Sequence, residues 1–179
     1  MQKARFDQRF IGLWLLLILP FAGLGCGYTN QTVLPVDMQT IYVDTVKNAI
    51  PINRMYSFEP GLEMMITNAI IRRFERDGNM RIVKKEEADA ILESKLIGYE
   101  QEGVRFSKLE QVQEYRLFIV LDVSLINRKT GDVIWREPNF SGDTEFFVGD
   151  FRSQDRNKAT PDAVERLARN VVDRVVEDW

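Results

Sequence analysis

Alternation of apolar and polar side chains is strongest over residues 115–127, YRLFIVLDVSLIN. Tyr115, Leu117, Ile119, Leu121, Val123 and Leu125 fall on one face of an extended chain, and Arg116, Asp122 and Ser124 on the other. This predicts a strand with one buried face. The turn sequence NRKTGD (127–132) follows, and Val133-Ile134-Trp135 starts a returning strand that continues past Pro138 to about Phe147, which makes a hairpin. Weaker alternation predicts a first strand at Ile41–Val46, with Pro51 in the loop after it. Met80–Val83 is a short strand. A longer one covers 88–100, where Ala90, Leu92 and Leu96 share a face and Glu93 and Lys95 point away.

Two segments carry the helical period instead. Leu62, Met65, Ile66, Ala69, Ile70 and Phe74 recur at that spacing after Pro60, which suits a first helical turn, and Asp77-Gly78 is a stop. Thr160-Pro161-Asp162 offers a cap, and Val164, Leu167, Ala168, Val171, Val172 and Val175 then make an apolar stripe. The order is β-α-β-β-β-β-α. A mostly antiparallel sheet with one apolar face needs a cover, and two amphipathic helices supply it. The expected fold is α+β: a two-layer sandwich with both helices on one face of about four to five strands.

The first 25 residues obey neither period. Lys3, Arg5 and Arg9 precede the uncharged run FIGLWLLLIL (10–19), and small residues follow in AGLGCG. That is the layout of a secretory signal peptide. No charge appears from Phe10 through Val36, but Pro20, Gly23, Gly25 and Gly27 break the stretch. Its continuous apolar part is only about half of the ~20 residues a spanning helix needs. The one cysteine, Cys26, stands just past the run. Residues 23–26, Gly-Leu-Gly-Cys, resemble a bacterial lipobox, with Gly23 where a leucine is usual. The expected organisation is a removed signal peptide (1–25), a lipidated tether (26–37) and a single α+β domain (38–179). Cys26 would carry a covalent N-terminal lipid, with palmitate-type chains, since a single chain anchors only marginally. Gly27, rather than an aspartate, resembles the outer-membrane sorting pattern of enterobacterial lipoproteins.

Composition narrows the chemistry. The chain has no histidine and one cysteine, so zinc sites built on His and Cys, Ser-His-Asp triads and Cys-His dyads are all removed. A net charge of −3 makes no case for nucleic acid. No metal or other cofactor is expected. Asp122 and Glu114 are nominal acids for a carboxylate hydrolase, but nothing in the sequence places them in a shared pocket.

The combined order resembles the lipopolysaccharide-assembly lipoprotein family, LptE. The matching features are Cys26-Gly27-Tyr28, Ile41-Tyr42-Val43 as first strand, the helix from Pro60, Ala88-Asp89-Ala90-Ile91-Leu92, the long hairpin and the Val164–Val175 helix. The resemblance implies a non-enzymatic role at the outer membrane. In that role the chain plugs and helps assemble a large β-barrel partner, LptD, and assists insertion of lipopolysaccharide into the outer leaflet. It also implies contact with lipopolysaccharide itself. The competing expectation is another envelope lipoprotein, a binding module in a secretion or peptidoglycan-linked complex.

An acidic chain meets an anionic glycolipid through local cations, because distant charges are screened. Two clusters qualify: Arg105 and Lys108 flanking Phe106 in a loop between long strands, and Arg128 with Lys129 at the later hairpin tip. Solvated turn residues are the plain alternative for both. Arg72, Arg73 and Arg76 are explained by the negative end of the first helix. Glu86, Glu87 and Asp89 read as a solvated strand edge. Trp135 and Phe146-Phe147 suit either packing or a barrel contact.

Overall fold

The computed structural model describes residues 38–51, 59–148 and 156–177. Its elements are β1 (Thr40–Val43), β2 (Lys47–Asn48), α1 (Leu62–Asp77), β3 (Arg81–Ile82), β4 (Ala90–Phe106), β5 (Val112–Asn127), β6 (Val133–Phe147) and α2 (Arg156–Glu177), with a single 3-10 turn at Lys85–Glu87. The expected α+β sandwich is present. The six strands form one open sheet in the order β3-β1-β4-β5-β6, with β2 also paired to β4. The long pairings β4–β5 and β5–β6 are antiparallel, and the short β1–β3, β1–β4 and β2–β4 pairings are parallel. The sheet is thus antiparallel over most of its length.

One face of the sheet is covered. Ile41 and Val43, Leu92 and Leu96, the alternating Leu117–Leu125 set, Trp135 and Phe146 share one core with α1 and α2. Leu62, Ile66, Ile70 and Phe74 line α1, and Val164, Leu167, Val171 and Val175 line α2, all essentially buried. This is the stripe that each helical period announced. Arg73 reaches Asp173 at 3.1 Å and Arg76 reaches Glu165, so two of the three arginines first assigned to the helix end also join the helices.

Several boundaries differ from expectation for identifiable reasons. β1 stops at Val43, and Lys47-Asn48, in a segment read as loop, pairs with Lys95-Leu96 as the sixth strand. The Val46 N–H donates to the Thr67 hydroxyl, which itself donates to the Glu63 carbonyl, so α1 holds this segment in place. β4 runs six residues past Glu100, because five of them, all but Val104 at a register shift, find partners on β5 despite mixed polarity. The register of β4 slips between Leu96 and Gly98, where a side chain on Gly98 would crowd Val120 at 3.2 Å. α2 begins at Arg156, ahead of the expected Thr160 cap. Thr160 is instead fully buried, 2.8 Å from the Tyr99 hydroxyl.

Candidate functional site

The long strands carry the two cation clusters to opposite ends of the sheet. Val112 and Asn127 bound β5, and at about 3.3 Å per residue they stand roughly 50 Å apart. A single small headgroup cannot reach both.

At one end, β4 and β5 close around a tight turn. The Ser107 N–H donates to the Gln111 carbonyl at 2.8 Å, and the Ser107 hydroxyl accepts from the N–H groups of Leu109 and Gln111. Glu110 takes a left-handed conformation, φ 59°. The turn is therefore fixed, and it holds Leu109 outward at 81% exposure. Arg105 and Phe106 lie on the end of β4, not in a loop, and Lys108 lies in the turn. The Arg105 guanidinium meets the Glu114 carboxylate at 3.2 Å and sits 5.5 Å from the centre of the Phe147 ring. Glu114 is almost fully buried while Arg105 is mostly exposed, so the pair spans the boundary with solvent. Lys108 is exposed and has no ion-pair partner among the described residues.

At the other end, Arg128 and Lys129 fold back on the start of β4. Lys129 Nζ lies 3.1 Å from Asp89, and Arg128 Nε donates to the Ala88 carbonyl. Asp89 also accepts from the Thr40 hydroxyl at 2.7 Å and from the N–H groups of Thr40 and Gln39. The Thr40 hydrogen bond above all, with help from Lys129 and the Gln39 N–H, lowers the Asp89 pKa to about 2. Asp89 is thus a clamp on β1 rather than a solvated edge charge.

The sheet face away from the helices is polar with an apolar middle. Ile97, Phe118 and Val120 line a shallow depression of about 410 Å³, bordered by Glu100, Asn139 and Ser141. Toward the Asp89 end, Asp122 pairs with Arg136 at 2.6 Å, which holds the Asp122 carboxyl below its ordinary value. Glu114 and Asp122 are eight residues apart on one strand, or roughly 26 Å. They do not form an acid pair. Among the described residues, no group of three or more acids or cysteines could hold a metal ion. No helix among them is long and apolar enough to cross a membrane. Cys26, the expected lipid attachment point, lies outside the described residues.

The tip holds residues that sequence reasoning passed over. These are Val104, Leu109 and Val148, exposed there beside Phe106 and the already noted Phe147. Of the aromatic pair, Phe146 is buried and stacks on Tyr115 at 5.7 Å, whereas Phe147 faces out. An apolar residue inside a polar turn, as in Ser107-Lys108-Leu109-Glu110, was the available signal.

Comparison with known proteins bears on the whole body. The model of a family described as LptE, lipopolysaccharide-assembly, matches residues 38–178. No curated protein matches the chain significantly in sequence. Among solved structures, the fold is similar to the protein XCC0632 from Xanthomonas campestris: TM-score 0.55, 14% identity, 76% of this chain and 82% of that one. It is also similar to protein CT253 from Chlamydia trachomatis, with TM-score 0.52, 13% identity and coverage of 77% and 95%. The PelC dodecamer from Paraburkholderia phytofirmans gives TM-score 0.50, 11% identity and coverage of 78% and 90%. At these identities the similarity concerns the fold alone.

Proposed function

The chain belongs to the lipopolysaccharide-assembly family LptE, and from that premise we propose that it is the lipid-anchored outer-membrane component of a lipopolysaccharide translocon. It plugs the β-barrel LptD, assists assembly of that barrel and helps insert lipopolysaccharide into the outer leaflet. The observation that carries this reading is the family match over 38–178, which takes in every described element. The role is one of binding and scaffolding. Its support is the lack of a nucleophile-base constellation in the sequence and the separation of Glu114 from Asp122. The charged residues on the uncovered sheet face, Glu93, Lys95, Asp122 and Arg136, suit a polar barrel lumen.

Residues 1–25 act as the signal peptide, Cys26 carries the lipid, and 26–37 tether the domain. Arg105, Phe106 and Lys108 at one end, and Arg128 and Lys129 at the other, are the proposed lipopolysaccharide contacts. Cations meet the phosphates, and Phe106 meets acyl chains. Affinity purification from detergent-solubilised outer membranes tests the translocon reading. A large β-barrel protein should co-purify, and depletion should halt lipopolysaccharide export. Recovery of no barrel, together with normal export after depletion, would refute it.

A further inference from the structure

Seven large apolar side chains are exposed among the described residues, and five of them gather at one place: Val104, Phe106, Leu109, Phe147 and Val148. Single exposed apolar residues are ordinary, but a contiguous group marks a contact. The place is the β4–β5 turn with the adjoining end of β6. The last β4–β5 pair, Phe106 with Val112, lies beyond the last β5–β6 pair, Glu114 with Phe147. The tip is therefore a projecting two-stranded wedge with apolar side chains at its apex and flanks. Its turn is pinned by the Ser107 hydrogen bonds, so Leu109 is held out rather than left to fold inward.

We propose that, in the chain free of a protein partner, this tip inserts into the boundary between headgroups and acyl chains of a lipid bilayer. A projecting wedge suits a fluid medium that closes around it. Phe106, Leu109 and Phe147 enter the apolar layer. Lys108 stands at the rim, where its charge complements lipid phosphates, and the exposed side of the Arg105 guanidinium, paired on its other side with Glu114, lies at the same level. The chain's own length allows this. Phe106 lies roughly 50 Å along β4 from Ala90, the residue beside Ile41. The stretch from Cys26 to Thr40 spans at most about 50 Å when extended. The tip can thus reach the membrane that would hold a lipid on Cys26. Insertion rests on the translocon reading only for the presence of that membrane.

The test labels the full-length lipoprotein with an environment-sensitive fluorophore at Leu109→Cys. The comparison site is Asn68→Cys, an exposed position on α1. Both are reconstituted in vesicles of phosphatidylethanolamine and phosphatidylglycerol containing acyl-brominated lipid. The expected result is blue-shifted, bromine-quenched emission from position 109 and neither effect at 68. Adding Phe106→Asp and Phe147→Asp to the Leu109→Cys chain should abolish the shift without altering the circular dichroism, since both side chains are exposed. Equal, water-like emission from 109 and 68 would overturn the proposal. So would a shift that survives the two aspartates. Quenching at 109, found alongside no co-purified barrel and normal lipopolysaccharide export after depletion, would sink the translocon reading and leave insertion standing.

Discussion

The Thr40 hydroxyl donates to the Asp89 carboxylate at 2.7 Å and accepts from the Asp89 N–H at 2.9 Å, a reciprocal pair that locks β1 to the start of β4. The pair has a pH signature. The Asp89 pKa is lowered to about 2, so its contribution to stability is complete above the unfolded carboxylate value, about 4, and is lost as pH falls from there through about 2. Asp89→Asn should cost ~1–2 kcal/mol at neutral pH. The difference from the unmodified chain should vanish near pH 2. Urea unfolding followed by circular dichroism across that range measures both.

Arg105 and Glu114 give a prediction of the opposite kind. Removing Arg105 leaves a buried carboxylate without its cation. Arg105→Ala should destabilise the chain by roughly 1–2 kcal/mol. The double variant Arg105→Ala with Glu114→Gln should be less destabilised than Arg105→Ala alone. A double-mutant cycle in urea checks the sign.

Gly142 is required by the close approach of α2 to β6. A Cβ there would lie 2.6 Å from the Leu167 Cβ and 2.7 Å from its Cα and N, which are fixed helix backbone. Gly142→Ala should lower stability by about 3 kcal/mol through overpacking. Thermal unfolding should show the loss, and Leu167→Ala will not restore it, because the backbone contacts remain.

The Arg128–Lys129 cluster can be tested apart from its structural duty. Substitution of both residues by glutamate should weaken lipopolysaccharide binding roughly tenfold, about the value of one charge-assisted hydrogen bond. Lys129 also holds Asp89, so Asp89→Asn is the control. It loosens the same clamp but should leave binding unchanged. Equilibrium binding of labelled lipopolysaccharide decides the matter.

The N-terminus is open to direct measurement. Mass spectrometry of the protein from membranes should find a chain starting at Cys26, carrying diacylglycerol on its sulfur and an acyl group on its amine. Cys26→Ala should abolish that modification.

How much of this was legible in the sequence depended on how local each cause was. The 115–125 alternation and the two helical stripes are decided by burial along one element, and the fold class followed from them. β2 was missed because two residues carry no period, and only the neighbouring Lys95-Leu96 makes them a strand. The end of β4 was missed because GluGlnGluGlyValArgPhe (100–106) has no consistent polarity, while pairing with β5 supplies the order. Arg73 and Arg76 looked like a local response to a helix end. Their partners Asp173 and Glu165 lie on another helix, beyond the reach of any spacing rule. At the candidate site, Arg105, Phe106 and Lys108 were found by charge. Phe147 stood out as an aromatic, but its place beside them, like that of Val148, comes only from the register that sets β6 against β5.

The parallel placement of β1 has a consequence for how the chain acquires its shape. β4, β5 and β6 are joined by tight turns and can pair as soon as each emerges. β1 is the first strand of the sheet to be made, yet its partners at Arg81-Ile82 and Ala90–Leu92 lie some 40–50 residues further on. Loop closure must be met before those contacts form. The strand nearest the N-terminus is therefore the one whose pairing carries the loop-closure cost, whereas the meander is built from neighbours in sequence.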